Sequence, residues 1–585
     1  MIDGDAVHDT RQVATTDETP ARSYLPAAGA SFNASAGLVA LGGTVLLHAV
    51  GGAAPAEAAQ VITIIGNGSV DSSANAAITD VGASRFLAQA SMGANRTQIA
   101  AVKALGYAGW LNSQFVLPVS GTRWDWLVVK GFSDVANRNS ENGFDAAAWR
   151  KLLSAPDTLR QRVTLALSEI TVAAIDGLVG GGWRAFSAAA YFDLIEANAF
   201  GNYRTLLGAL STSAPMGEFL TFRGNEKYNP VTGALPDENY AREIMQLFSI
   251  GLVQLNQDGT PKLVNGATQE TYGLDDITGL ARVFTGWDFN LAGTTTATPD
   301  FLRRPMAQIA SRHETGTASF LGTTIPAGLG GADSMKRALD VIFSHPNVAP
   351  FISRQLIQKL VTSNPTPAYV GRVAAVFRND GTGVAGNLRA VVSALLLDVE
   401  ARQPDQVGAT SYGKLREPIL RFSGWARAFN ATSVTDTWSI GNTSDPSTRL
   451  GQSPGRAPSV FSFFRPGYVP PNSAIAQATL VAPEFQLTNE SSVVGYVNYM
   501  QRAVSSGIGD VKADYATLLP LATNAAALLA EINLVLAAGQ ISSSNLALLV
   551  GAVNGMPSNT DAARLNRIHA AVTLVLAAPE FLVQK

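Results

Sequence analysis

The sequence predicts an all-α protein: one large helical body with long ordered loops and little β structure. Three observations predict it. Apolar residues recur at three- and four-residue spacing from about Asp80 to the end. Alternating Val/Ile/Thr runs closed by hairpin turns hardly occur. The composition, 46% hydrophobic and 15% charged, is that of a globular chain with a weakly charged surface.

Residues 1–60 stand apart as a disordered, signal-like segment. The first 35 are polar and lack a helical period. Gly37 to Val50 then form a short apolar run, GLVALGGTVLLHAV, followed by small residues with Ala-Glu-Ala at 56–58. That order resembles a secretory h-region and its cleavage site, although the preceding stretch is long and acidic. The expectation is an exported protein, periplasmic or extracellular. No later stretch is long and apolar enough to suggest a membrane span.

The helical body is expected over residues 61–585. SRFLAQASMG places Phe86, Leu87 and Ala90 together, with Gly93 as the expected C-cap. TQIAAVKALGYAGWLNSQF continues the apolar period through Ile99, Val102, Trp110 and Phe115. PDTLRQRVTLALSEI puts Leu159, Val163, Leu167 and Ile170 on one face, with Asp157 near the positive helix end. A helix pair breaks at Gly201-Asn202, and another hinges at His345-Pro346. Segments around LRAVVSALLLDVEA and EPILRFSGWARAFNA, and the tail from Tyr515, complete the set. Five long loops are expected: 121–145, 221–236, 256–276, 291–331 and 433–473. Long loops in a helical body are usually functional. The fragments VAPEFQ and AAPEFLVQ echo one another weakly.

Composition narrows the chemistry. With no cysteine there are no disulfides, thiolate metal sites or thiol nucleophiles. A net charge of -3 without basic clusters argues against nucleic acid as a partner. Of five histidines, only His313, His345 and His569 lie in the body. Phosphate-binding loops, zinc-protease and serine-hydrolase signatures are absent. NQDGTPK lacks the downstream Glu of a calcium loop and reads as a turn.

The densest polar stretch is LPDENYAREIMQLFSIGL, Leu235 to Leu252. Pro236, Asp237 and Glu238 suit a helix start. At about 100° per residue, Tyr240, Ile244, Leu247, Phe248 and Gly251 form the core stripe. Arg242 and Glu238 point away from it and can pair at i, i+4. Glu243 borders the stripe with Asn239, so its carboxylate needs a partner or a proton. Either it belongs to a buried ion pair, or it is a general base or metal ligand, and a divalent metal is one candidate cofactor. A second cluster, TYGLDDITGLARVFTGWDF, offers Asp275 or Asp276 as N-cap of a helix over 277–284, with Trp287 leading out. His313, beside Glu314 in RHETGTASFLG, is either a loop anchor or a ligand or acid–base group. His345 caps a helix or fills the hinge.

Taken together, SRFLAQASMG, DTLRQRVTLALSEI, AFGNYRTLLGALSTSAPMGEFL, PDENYAREIMQLFSIGL, DDITGLARVFTGW, RHETGTASFLG, HPNVAPFISRQLIQKLV, REPILRFSGWARAF, PSVFSFFRPGY and APEFLVQ resemble the bacterial DUF1800 family, a domain of unknown function. The resemblance implies a large, mostly helical, commonly exported protein. It also implies a conceivable partner from a family resembling the sulfatases and alkaline phosphatases. The family's usual His before Pro-x-Met is Ala214 here, and its usual Asp after the loop His is Glu314. Two functions are expected to compete. One is an enzyme acting on a polysaccharide or related polymer, with Glu243, His313 and Asp276 catalytic and Asn239, Arg242 and Trp287 binding substrate. Phe289, Phe463, Phe464 and Tyr468 would line its cleft or simply pack in the loops. The other is a non-catalytic assembly or surface protein working with a partner.

Overall fold

In a computed structural model, the structure describes residues 77–585 apart from 404, 405 and 407. Helices dominate, and strands are two or three residues long, paired in five two-stranded ladders. The all-α expectation holds. The expected signal-like segment 1–60 lies outside the described residues.

Helix starts follow the sequence. Thr79, Asn95, Asn202, Ser213, Thr366, Asn387, Asn524 and Thr560 each accept a first-turn N–H through their side chains. That satisfies donors the helix itself cannot. The helix Thr158–Ser168 is buried on every side, arginines included. Against it packs Arg184–Asn198, which also meets Arg123–Val129, Phe144–Ser154, Tyr203–Thr212 and Ala214–Phe219. Val348–Leu360, Pro367–Arg378 and Leu388–Leu397 form a second stack. The first described helix, Asp80–Ala90, packs on Ala525–Ala537, and the ladder of Lys414–Leu415 with Val583–Gln584 ties the tail to the middle.

Several boundaries differ from expectation. The segment 121–145 is loop only in its second half. Thr122 caps a helix over Arg123–Val129, whose Arg123, Trp124, Trp126 and Leu127 are buried. The stretch was too short to show a helical period. The helix Arg96–Phe115 kinks at Gly106, where φ is 74°. Ser91 rather than Gly93 is the C-cap of the first helix. Neither Asp275 nor Asp276 is the N-cap; Gly273 is the N-cap of Leu274–Ala281, and Asp276, in its first turn, accepts the Gly273 N–H.

The long loops are held by short ladders. Trp287–Asp288 pairs with Ala307–Gln308, and Ala318–Phe320 with Thr323–Ile325. The latter hairpin lies directly on Leu274–Ala281. There a Cβ added to Gly279 would stand 1.8 Å from Ser319 O, so only glycine fits. NQDGTPK is the expected turn, closed by Gly259 N donating to Asn256 O at 3.0 Å. His345 is the C-cap of Gly331–Ser344, and its Nδ1 accepts from Asn347 N at 3.1 Å.

Candidate functional site

The polar start of the helix Asn239–Gln246 is built on the strip Thr221–Lys227. Thr221 Oγ1 donates to Asp237 at 3.0 Å and accepts from Asn239 Nδ2 at 3.3 Å. Asn225 clamps the Asp237 backbone, accepting its N–H at 2.8 Å and donating to its carbonyl at 3.3 Å. On its other side the strip meets the two further polar segments. Gly224 N donates to Trp287 O, Gly286 N to Asn225 O, and Lys227 N to Arg312 O. Between these faces lies an aromatic wedge. Tyr240 stacks on Phe222 at 4.2 Å, meets Phe284 edge-on at 4.7 Å, and shares a 2.7 Å hydrogen bond with Ser211. The backbone thus brings together the segments that the sequence singled out.

The side chains behave differently. No hydrogen bond or ion pair among the described residues joins Glu243, His313 and Asp276 to one another. Glu243 is buried with its Oε2 unpartnered, and burial pushes its carboxyl up despite the neighbouring Arg242. His313 is sealed in. Its Nδ1 contacts Thr285 O at 3.0 Å and Thr285 Oγ1 at 3.2 Å, while Nε2 has no partner. Thr285 Oγ1 also accepts from Glu314 N, so the pair anchors the loop beside Arg312. Both oxygens of Asp276 serve backbone: one accepts from Gly273 N and the other from Leu321 N, each at 2.7 Å. Arg242 is exposed and pairs with Glu238 at 3.6 Å, as its spacing predicts. Asn239 is half-buried, and Trp287 is buried in its ladder with Nε1 unpartnered. Among the described residues no three His, Asp or Glu side chains converge as a metal would require.

A carboxyl the sequence reading passed over stands beside the strip. Glu218 lies in the last turn of the short helix Ala214–Phe219, half-buried between the glycine turn 180–181 and Arg223. A Cβ at Gly180 would come within 2.6 Å of its Oε1. Ser187 Oγ donates to Oε2 at 3.4 Å, and Oε1 has no hydrogen-bond partner. Burial pushes this carboxyl up to about 7, with Arg223 only partly opposing it. Arg223 lies 4.2 Å over the Phe289 ring and donates to Asp288 at 3.0 Å. Arg312 bridges Asp288 at 3.4 Å and Glu226 at 3.1 Å. The result is a partly exposed ladder of carboxylates and guanidiniums over an aromatic ring. Its signal in the sequence was slight: an acid inside the apolar fragment SAPMGEF.

A second group, wholly buried, was also missed. Lys359 pairs with Glu169 at 2.8 Å, and Lys414 with Glu484 at 3.0 Å and Glu417 at 3.6 Å. Gln452 donates to Glu417 at 2.9 Å, and Lys359 lies 3.9 Å over the Phe464 ring. Phe464 is therefore core, not cleft. Burial and the neighbouring Glu417 push the Glu169 carboxyl up to about 8. Burial opposes ionised Glu417 too, yet Lys414, Lys359 and Arg162 outweigh it and pull its carboxyl down to about 2.

These six ionisable groups come from DTLRQRVTLALSEI, QLIQKLV, the stretch Lys414–Glu417 and VAPEFQ, segments far apart in the chain. A cavity of about 430 Å³ is lined by still other positions, among them Asn364, Tyr412, Phe485 and Val583. No curated protein and no solved structure matches the chain significantly. The profile described as "protein of unknown function (DUF1800)" matches residues 85–583, nearly all that the structure describes. The chain that buries these motifs against one another belongs to the DUF1800 family.

Proposed function

We propose that the protein is an exported bacterial enzyme that acts on a polysaccharide or related polymer by carboxyl acid–base chemistry. The observation that carries this reading is Glu218, a half-buried carboxyl pushed up to about 7 with one oxygen unpartnered. A carboxyl titrating near neutrality is suited to both giving and taking a proton. Asp288 is the second carboxylate, held between Arg223 and Arg312. Phe289 and the two guanidiniums supply an aromatic face and hydrogen-bond donors of the kind that hold hydroxyl-rich chains. Glu243 remains a further acid–base group, and Asn239 and Arg242 flank the same strip. His313 acts as a positioning residue for Arg312, and Asp276 for the hairpin beside it. Export is supported by the apolar run Gly37 to Val50 with small residues after it.

The test is release of reducing ends from a panel of bacterial and plant polysaccharides, with Glu218→Gln alongside. Turnover with a pH profile bending near neutrality, lost at least about 100-fold in Glu218→Gln with the fold retained, supports the reading. Turnover that Glu218→Gln leaves intact removes Glu218 from the chemistry. No turnover of any glycan leaves the assembly reading ahead. One observation favours that second reading: in the helix Ser543–Asn554 only Val553 is buried, which leaves Leu548 and its neighbours for a partner.

A further inference from the structure

The fragment REPILRFSGWARAF carries three arginines, Arg416, Arg421 and Arg427, and all three guanidiniums are buried without an ion pair. Arg427 is satisfied by carbonyls, donating to Leu152 O at 2.8 Å and Ala155 O at 2.9 Å. Arg421 donates to Arg416 O at 2.7 Å. Arg416 is the exception. Its Nη1 donates to Leu536 O at 2.7 Å, but Nε and Nη2 are buried with no partner. One face of the group rests on Phe581 at 4.8 Å, and the residue is 7% exposed. Arg421 adds positive charge nearby and no carboxylate answers it; burial pushes the Arg416 guanidinium down to about 10.

Beside Arg416 is a small cavity of about 30 Å³, bounded by Ser84, Ser91, Gly93, Gly424 and Gln584. A space of that size admits a monatomic ion, and no acidic side chain lines it to answer the guanidinium. A guanidinium does not shed its proton, so burial without an anion leaves its charge uncompensated. We propose that this cavity binds a halide ion, chloride in nature, against Nε and Nη2 of Arg416. The inference is independent of the acid–base reading of Glu218. A water in the same place would answer the donors but not the charge, and this difference is what the experiment reads.

The full chain is unfolded thermally in sodium chloride, sodium bromide and sodium gluconate at equal ionic strength. The expected result is a saturable rise of about 2 °C or more in the two halides over gluconate. Crystals soaked in bromide are expected to show an anomalous peak in this cavity. Arg416→Met is expected to abolish the halide dependence. Should that variant not fold, the bromide position in the unsubstituted protein decides alone. Equal midpoints in halide and gluconate, or an ordered water and no bromide at Arg416, would overturn the proposal.

Discussion

Lys359 Nζ lies 2.8 Å from Glu169 Oε2 inside the protein, and Glu417 stands close enough to raise the same carboxyl. One proton is therefore retained on the acidic pair at neutral pH. Glu169, with a folded value of about 8 against the usual 4.5, contributes stability that is complete below about pH 4.5 and is lost as pH rises toward 8. Glu417, pulled down to about 2, contributes stability that is complete above its usual range and is lost as pH falls toward 2. Between about pH 5 and 8 the Glu169 contribution should decline by up to about 1.4 kcal/mol per pH unit. Urea unfolding across that range measures the slope. Glu169→Gln mimics the protonated form and should flatten it; an unchanged slope in that variant would contradict the assignment.

Two glycine-to-alanine substitutions should move stability in opposite directions. At Gly279 the new methyl would meet Ser319 O at 1.8 Å, so the hairpin must lift off the helix. A loss of about 3 kcal/mol is expected. At Gly551, on the exposed helix Ser543–Asn554, the methyl meets nothing, and Ala should gain about 0.5–1 kcal/mol. Chemical denaturation of both variants reads the contrast.

Asp276→Ala removes the acceptor for Gly273 N and Leu321 N together. The expected cost is about 1–2 kcal/mol, the range of a lost helix-terminal acceptor. Amide exchange at Leu321 should quicken at the same time. Retained protection there would mean that the hairpin is held by other contacts.

Glu243 and His313 should differ as well. Glu243 Oε2 has no partner to lose and burial raises its pKa, so Glu243→Gln is expected within about 0.5 kcal/mol of the parent at neutral pH. His313→Ala strips Thr285 of a buried contact and opens a hole, which should cost about 1–3 kcal/mol. Equal losses would mean that the Glu243 carboxyl has an ionic partner.

Much of the fold was legible in local patterns. The apolar period marked most helices, the i, i+4 spacing announced the Arg242–Glu238 pair, and His345 before Pro346 marked a helix end. The helix at Arg123–Val129 escaped notice because seven residues carry too little periodicity to outweigh the polar stretch around them. Asp275 and Asp276 look like N-caps in sequence, yet the N-cap is Gly273, and Asp276 divides its two oxygens between the Gly273 N–H and the hairpin at Leu321.

The sequence by itself determined the all-α class, the polar helix start and the loops that surround it, because these depend on neighbours within a turn or two. Only the tertiary structure decided which acids count. Glu218 owes its raised pKa to burial beside the glycine turn at Gly180, against the pull of Arg223, and Glu169 owes its own to burial and to Glu417, a residue nearly half the chain away. Burial and charge act through space, whereas helical periodicity acts along the chain.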